Sequence, residues 1–229
     1  MQKNPIIIAL DGKTSNNALK IAAALKNKVW GFKITDLLFE DPMIITELKK
    51  FGKVFADAKL HDIPTTVRRS VTKLSAIGAD LITVHACGGR EMMKAAKDAA
   101  GNSKIIAVTI LTSLDEVATQ SIFSKSIKES VVRLAYEIQG TNVDGIICSA
   151  HELKNLIEDS ELKHLELLKV VPGVRPSWYS ESDDQKRTVT PAEAIRLGAD
   201  LLVIGRPIMN SDNPIEAVDK ILIEIKGWL

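Results

Sequence analysis

The sequence predicts an α/β protein built as a single (β/α)₈ barrel, also called a TIM barrel, over residues 1–229. Eight short apolar runs alternate with segments of helical patterning, which is typical of a parallel sheet with crossover helices. The length of 229 residues suits one barrel, and no low-complexity linker divides the chain. Two smaller domains are the less favoured division of a chain of this length.

The eight apolar runs are the predicted barrel strands. They are rich in β-branched residues and mostly continuous, as expected for strands that are buried on both faces. They cover residues 6–10, 29–34, 54–58, 81–84, 105–110, 145–148, 168–171 and 201–204. An open doubly wound sheet is the structural alternative, but it favours a Gly-x-Gly-x-x-Gly turn after the first strand, which the sequence at 9–13 lacks.

Helix signals occupy the segments between these runs. Segments that begin at Ser126 and Thr190 have the Ser/Thr-x-x-Glu pattern of a capping box. Gly78 and Gly198 each precede an Ala-Asp pair, and we expect them to end helices in a left-handed conformation. Prolines that suit a first helical turn are Pro42, Pro64, Pro191 and Pro214.

The composition argues against several classes of protein. The 30 basic and 29 acidic residues nearly cancel, so no basic excess indicates a nucleic-acid partner. No apolar stretch approaches the ~20 residues that a membrane-spanning helix needs. The two cysteines, Cys87 and Cys148, lie far apart and fit a reducing compartment better than a disulfide framework. We therefore expect a cytoplasmic protein that binds neither nucleic acid nor membrane.

Chemistry in such a barrel is expected at the C-terminal ends of the strands. The third strand is the most informative, because Asp57 and Lys59 should point to the same side of a strand whose side chains alternate. Asp62 follows just before Pro64. Burying such an alternating charge array is costly unless its members are paired. The residues alone leave two interpretations open: a catalytic array, or a barrel-mouth salt bridge with Asp62 as a helix N-cap.

The ends of the last two predicted strands suggest a phosphate site. Gly173 and Gly205 would expose backbone N–H groups there, and Arg206 stands beside them. Phosphate sites after the seventh and eighth strands recur in this barrel class, although loop glycines and a surface arginine are the plain alternative. The long polar stretch 174–189 is expected to form a lid over the site.

The order of these motifs resembles that of orotidine 5'-phosphate decarboxylases along the whole chain. Residues 57–66 read Asp-Ala-Lys-Leu-His-Asp-Ile-Pro-Thr-Thr, and Asp-Gln-Lys-Arg at 184–187 and Gly-Arg at 205–206 follow in the family's order. Asp-x-Lys-x-x-Asp alone is shared by a wider group of barrel enzymes, whereas the combination is specific. The resemblance implies a carboxy-lyase that converts orotidine 5'-phosphate to uridine 5'-phosphate, the last step of de novo UMP synthesis, without metal or cofactor.

The resemblance also implies roles for the charged residues. Lys59 would protonate C6 of the pyrimidine, Asp57 would lie beside the substrate carboxylate, and Lys33 would complete the array and contact substrate. Asp57 and Asp62 would flank Lys59 and hold it charged. Asp62 and Thr66 would also reach the neighbouring subunit's site, which implies a homodimer with shared sites.

Further residues are implied to bind the substrate. Asp11 would bind the ribose, Thr112 would touch the pyrimidine edge, and Gln185 would bridge lid, base and phosphate. The phosphate would be held by Arg175, Gly205 and Arg206.

Two other functions remain open from the sequence. A magnesium-dependent sugar-phosphate decarboxylase or aldolase of the same barrel group shares Asp-x-Lys-x-x-Asp. It would need a carboxylate at the end of the second strand, where Lys33 stands and would oppose a divalent ion. A non-catalytic phosphate-binding barrel would keep Gly205 and Arg206, but it has no need for Lys59 between two aspartates. The four histidines are dispersed and lack the spacing of metal ligands.

Overall fold

A computed structural model of the chain describes residues 4–164, 166–180 and 187–228. Eight parallel strands form a closed barrel, in which each strand pairs with the next and the last pairs with the first. The strands are β1 Ile6–Ala9, β2 Gly31–Ile34, β3 Lys53–Leu60, β4 Leu81–His85, β5 Lys104–Val108, β6 Gly145–Ile147, β7 Leu168–Val171 and β8 Leu201–Ile204. The predicted (β/α)₈ barrel is confirmed. The open-sheet alternative is wrong, because β1 and β8 are in register from Ile6 with Leu202 to Ile8 with Ile204.

Helices surround the barrel and connect its strands. They are α1 Ser15–Ala24, α2 Leu37–Glu40, α3 Ile44–Leu48, α4 Pro64–Ala76, α5 Arg90–Asp98, α6 Glu116–Phe123, α7 Ile127–Ile138, α8 Ala150–Glu158, α9 Pro191–Arg196, α10 Arg206–Met209 and α11 Pro214–Ile225. Short 3₁₀ helices cover Ala86–Gly88 and Leu162–His164. Across the described ranges, none of these helices has the length and apolar character that crossing a bilayer requires.

Most of the predicted helix boundaries are confirmed. Prolines begin α4, α9 and α11, and a reciprocal capping box begins α7. Gly78 and Gly198 follow their helices with φ of 98° and 96°. The prediction for Pro42 is wrong, because α3 begins at Ile44. The Asp41 carboxylate accepts the Met43 N–H at 2.9 Å and holds a turn in between.

The barrel interior is filled by apolar side chains. Inward-facing apolar side chains form one cluster inside the strands, and a larger cluster lies between the strands and the helices. The inner cluster consists of Ile7, Phe55, Leu81, Ile106, Val108, Ile147, Val170, Leu201 and Val203. Layers of branched side chains of this kind make a barrel a packed core rather than a pore.

Three aspartates link neighbouring strands in the same way at the N-terminal end of the barrel. Asp80, Asp144 and Asp200 each stand just before an even-numbered strand and accept a backbone N–H from the preceding odd-numbered strand at 2.7–2.8 Å. A lysine neutralises each carboxylate at 2.7–2.9 Å; these are Lys49, Lys97 and Lys169. The Asp of both Gly-Ala-Asp repeats thus joins two neighbouring strands, and Asp144 does the same outside the repeat.

Candidate active site

A cavity of about 850 Å³ opens at the C-terminal ends of the strands. It brings together nine of the residues singled out in the sequence: Asp11, Lys33, Asp57, Lys59, Thr112, Gly173, Arg175, Gly205 and Arg206. Asp62 and Thr66 do not line it. Gln185 lies outside the described residues, together with the rest of 181–186 in the middle of the predicted lid. The rim of the barrel is therefore where the polar strand ends meet, as expected for this architecture.

Four charged side chains of alternating sign form a continuous array in the cavity. Lys33 Nζ lies 2.5 Å from an oxygen of Asp11 and 3.3 Å from Asp57 Oδ2. Lys59 Nζ lies 2.6 Å from the same Asp57 oxygen. The side chains of Lys33 and Asp57 are only 9% and 7% exposed, whereas Lys59 is 34% exposed towards the cavity. The outermost ammonium of the array is thus the one that a bound molecule can meet.

Mutual attraction keeps the buried members of this array charged. Burial would raise the pKa of Asp57, but the positive charges of Lys33 and Lys59 outweigh it, and the net shift lowers the pKa. Burial would likewise lower the pKa of Lys33, but the charges of Asp57 and Asp11 outweigh it and raise the pKa. Asp57 and Lys33 therefore both favour their charged forms.

Two threonines that the sequence analysis missed orient the array. The hydroxyl of Thr83 on β4 is fully buried and donates to Asp57 Oδ1 at 2.9 Å. Thr35, just after β2, accepts from Lys33 Nζ at 2.8 Å, and its N–H donates to Asp11 Oδ1 at 3.0 Å. A single threonine inside the apolar run of β4 was the available signal, since a buried hydroxyl needs a partner.

The backbone of β3 departs from a regular strand where it presents Lys59. The pairing with β4 shifts register between Ala56 and Leu60, and Lys59 has a φ of +44°. Positive φ is costly for a residue with a side chain and persists only where the surroundings enforce it. Here the Thr83 hydroxyl accepts the Lys59 N–H at 2.8 Å. The predicted contact between Asp57 and Lys59 is present, but a bulge produces it rather than simple alternation.

The expectation that Asp62 flanks Lys59 within its own chain is wrong. Asp62 is exposed, and its carboxylate accepts the adjacent Ile63 N–H at 2.6 Å. The N-cap alternative is wrong as well, because the capping residue of α4 is Ile63 and no side chain caps the helix. The charged array therefore continues from Asp57 to Lys33 and not from Lys59 to Asp62. Asp62 and Thr66 remain predicted contributors to a neighbouring subunit's site.

The side of the cavity predicted to hold a phosphate is formed by the loops after β7 and β8. Gly173 has a φ of 72°, and the Arg175 N–H donates to Val189 O at 2.8 Å. At Gly205 a Cβ atom would lie 3.3 Å from that of Ala9, so the glycine allows close strand approach. Arg206 follows as the first residue of α10. Two guanidinium groups thus lie at the side of the cavity formed by the last two strands.

His61 and His85 lie outside the cavity lining, beside β3 and β4. Their ring centroids are 5.7 Å apart. Burial, followed by the charges of His61 and Lys59, lowers the pKa of His85. The neutral form of the His85 ring is therefore favoured, and it adds no positive charge beside Lys59. Within the described ranges, no group of three or more His, Cys, Asp or Glu side chains is arranged to hold a metal ion.

Comparisons with known proteins agree with this geometry. A family model described as the orotidine 5'-phosphate decarboxylase / HUMPS family matches residues 4–221. An orotidine 5'-phosphate decarboxylase of Rhodospirillum rubrum is 39% identical over 242 residues, covering 100% of this chain and 96% of that protein.

Solved structures of similar chains share the same fold. A crystal structure of orotidine 5'-phosphate decarboxylase from Lactobacillus acidophilus has a TM-score of 0.82 and 33% identity, covering 97% of this chain and 99% of that one. The enzyme from Methanocaldococcus jannaschii, solved in complex with the inhibitor BMP, has a TM-score of 0.78 and 27% identity, covering 97% and 98%.

Proposed function

The chain belongs to the orotidine 5'-phosphate decarboxylase / HUMPS family, and we propose that it converts orotidine 5'-phosphate to uridine 5'-phosphate and CO₂ without metal or organic cofactor. One observation carries the proposal: the Lys59 ammonium is held 2.6 Å from buried Asp57 and faces a cavity with arginines at its other side. This combination suits a substrate that has a phosphate at one end and develops negative charge at the other.

The reaction needs a cation at the carbon that loses CO₂. When the bond from C6 to the carboxylate breaks, its electron pair stays on C6 in the ring plane, where the π system cannot delocalise it. An enzyme must lower such a barrier by ~20 kcal/mol, in the upper part of the known range. The Lys59 ammonium stabilises the developing charge and then transfers a proton from Nζ to C6. The neutral amine regains a proton from water.

Asp57 and Lys33 would keep Lys59 ready for this step. Asp57 fixes the position of Lys59 Nζ at 2.6 Å, while Lys33 offsets the cost of burying the Asp57 carboxylate. A preorganised cation needs no rearrangement as charge develops, which is the main source of electrostatic catalysis. The positions of both lysines are thus supported by the same buried carboxylate.

The remaining cavity residues match the other parts of the nucleotide. We assign the ribose to Asp11, the pyrimidine edge to Thr112, and the phosphate to Arg175, Gly205 and Arg206. Asp11 uses one oxygen for Lys33 and the other for the Thr35 N–H, yet its side chain is 41% exposed. A carboxylate has about four acceptor positions, so a sugar hydroxyl can still donate to it.

The magnesium-dependent alternative is disfavoured because the cavity carboxylates of Asp11 and Asp57 are already paired with a lysine. Asp11 and Asp57 both face Lys33 Nζ, at 2.5 Å and 3.3 Å, so their charge is already neutralised by a lysine. A divalent ion would have to displace this ammonium from the site.

A spectrophotometric assay with orotidine 5'-phosphate tests the proposal. We expect loss of the orotate chromophore, release of one CO₂ per uridine 5'-phosphate, and the same rate with or without a chelator. A rate that falls with chelator and returns with Mg²⁺ would favour the metal-dependent alternative. Tight binding of the nucleotide without CO₂ release would favour the non-catalytic barrel.

We further propose that the active unit is a homodimer in which Asp62 and Thr66 complete the partner's site. Both residues lie away from the cavity of their own chain. The adjacent Ile63 is 67% exposed, an apolar side chain at the tip of the same loop. Covering Ile63 against a second copy would remove apolar surface from water and bring Asp62 to another subunit.

Subunit mixing tests this shared site. Lys59→Ala and Asp62→Ala each should have little activity alone, because every site in either homodimer lacks one residue. Dissociating and reassociating an equal mixture should restore about a quarter of the wild-type activity, since the heterodimers have one intact site. A mixture that stays as inactive as its two components would contradict the shared site.

We place the protein in the cytoplasm because both cysteines are free thiols, with Cys148 buried and Cys87 exposed. Recovery of the protein with a periplasmic or membrane fraction of its host would contradict this location.

A further inference from the structure

A buried ion pair stands at the side of the cavity and is not used by the proposed chemistry. Arg187 Nη1 lies 2.7 Å from Glu152 Oε1, and the two side chains are only 13% and 6% exposed. Glu152 belongs to the first turn of α8, where its other oxygen accepts the Ser149 N–H at 2.9 Å and also bonds the Ser149 hydroxyl. Ser149 therefore fixes the orientation of the Glu152 carboxylate independently of its contact with Arg187.

Arg187 makes a second contact that leads to the base end of the cavity. Its Nη2 donates to Leu111 O at 2.8 Å. Leu111 follows β5 and directly precedes Thr112, and both residues line the cavity. The guanidinium therefore bonds the backbone that carries the residue assigned to the pyrimidine edge.

The chain that follows Arg187 leads to the phosphate end. Val189 pairs with Val174, its N–H donates to Gly173 O at 3.3 Å, and its carbonyl accepts the Arg175 N–H at 2.8 Å. On the intervening residue, Thr188 O lies 3.3 Å from a ring nitrogen of His151, again on α8. A short rigid path thus joins Arg187 to the backbone of Arg175.

We propose that Arg187 and Glu152 are positioning residues that set the spacing between the base end and the phosphate end of the substrate cavity. The proposal rests on the proposed function, because Thr112 and Arg175 contact substrate only if the substrate is a nucleotide. The planar guanidinium can donate to a carboxylate and a carbonyl in fixed directions at once. An apolar contact would hold the two loops together without setting their relative position. A buried ion pair adds little net stability but selects one relative position of the loops.

Replacing the arginine tests the coupling. In Arg187→Met we expect kcat/KM for orotidine 5'-phosphate to fall on the order of 100-fold, the scale of a displacement of about 1 Å in a bound substrate. Arg187→Lys should lose less, since an ammonium keeps the charge but lacks the planar fork. If Arg187→Met does not fold, Arg187→Lys carries the test, and a folded lysine variant with wild-type kcat/KM overturns the proposal.

The matched control is Lys97→Met, which removes the Lys97–Asp144 pair at the N-terminal end of the barrel, away from the substrate cavity. This pair has the same 2.7 Å separation and side chains that are 31% and 19% exposed. We expect a lower Tm and an unchanged kcat/KM in folded protein. If Arg187→Met loses activity only in proportion to its unfolded fraction, as a structural role requires, the proposal is overturned.

A double-mutant cycle separates positioning from mere support. The losses of kcat/KM caused by Arg187→Met and Thr112→Ala should be strongly non-additive. Once Arg187→Met has displaced Thr112, removing the Thr112 side chain should cost little more. Fold-losses that simply multiply would overturn the coupling. Wild-type protein that does not turn over orotidine 5'-phosphate would overturn the proposed function as well, whereas normal wild-type turnover with unaffected arginine variants would overturn this inference alone.

Discussion

Lys59→Ala is expected to lower kcat by about 10⁴-fold or more, because the change removes both a general acid and the cation that stabilises the carbanion. Lys59 is the more exposed ammonium of the array, with 34% of its side chain exposed in the cavity. The other ammonium of the array cannot take its place, since Lys33 lies on the far side of Asp57 and is 9% exposed. The measurement is the rate of uridine 5'-phosphate formation at saturating substrate.

The control for this variant is Lys49→Ala. Its ammonium lies 2.7 Å from the Asp80 carboxylate, a separation close to that of Lys59 from Asp57, but at the N-terminal end of the barrel. Its loss should reduce stability slightly and leave turnover unchanged. Circular dichroism and the dissociation constant of uridine 5'-phosphate establish that Lys59→Ala is folded and binds. Full-rate product formation by that folded variant would rule out Lys59 as the proton donor.

Asp57→Asn is expected to reduce both stability and turnover. The change leaves two ammonium groups, which had been 2.6 Å and 3.3 Å from the carboxylate, without the anion between them. Removing one partner of a buried charge pair typically costs about 3–5 kcal/mol. The amide keeps the shape of the side chain, so the loss measures charge rather than packing. Urea denaturation and kcat are the two measurements.

The pH dependence of stability gives Asp57→Asn a distinctive signature. Because the folded-state pKa of Asp57 is lowered, the unfolded chain binds more protons than the folded one below about pH 4. The stability that Asp57 contributes is therefore present above about pH 4 and is lost as the pH falls through the lower folded-state pKa. The difference in unfolding free energy between wild type and variant should be largest near neutral pH and shrink towards pH 3, a window set by the ordinary Asp pKa.

Asp98→Asn provides the matched control for the aspartate. Asp98 pairs with Arg68 at 3.4 Å, but the side chains are 65% and 48% exposed. Breaking such an exposed pair should change stability by about 1 kcal/mol or less. If Asp57→Asn keeps near-normal turnover, neither the positioning of Lys59 nor repulsion between Asp57 and the substrate carboxylate contributes to catalysis.

The sequence by itself determined the architecture and most of the residues around the cavity. Local patterns are sufficient for this: continuous β-branched runs indicate buried parallel strands, and capping residues and Gly78 mark helix ends. Once the strands are parallel, residues that follow them must gather at one rim. Asp57 and Lys59 were therefore identified from their place at a strand end, and the family resemblance added Lys33 to the array.

Only the tertiary structure decided which of those residues touch. The contact of Thr83 with Asp57, the link from Asp11 to Lys33, and the pair of Arg187 with Glu152 join residues 22 to 35 positions apart. Such contacts depend on strand register and barrel closure, which leave no local pattern in the chain. The bulge at Lys59 has the same origin, because a buried hydroxyl on the next strand holds its backbone in a conformation that its own sequence disfavours.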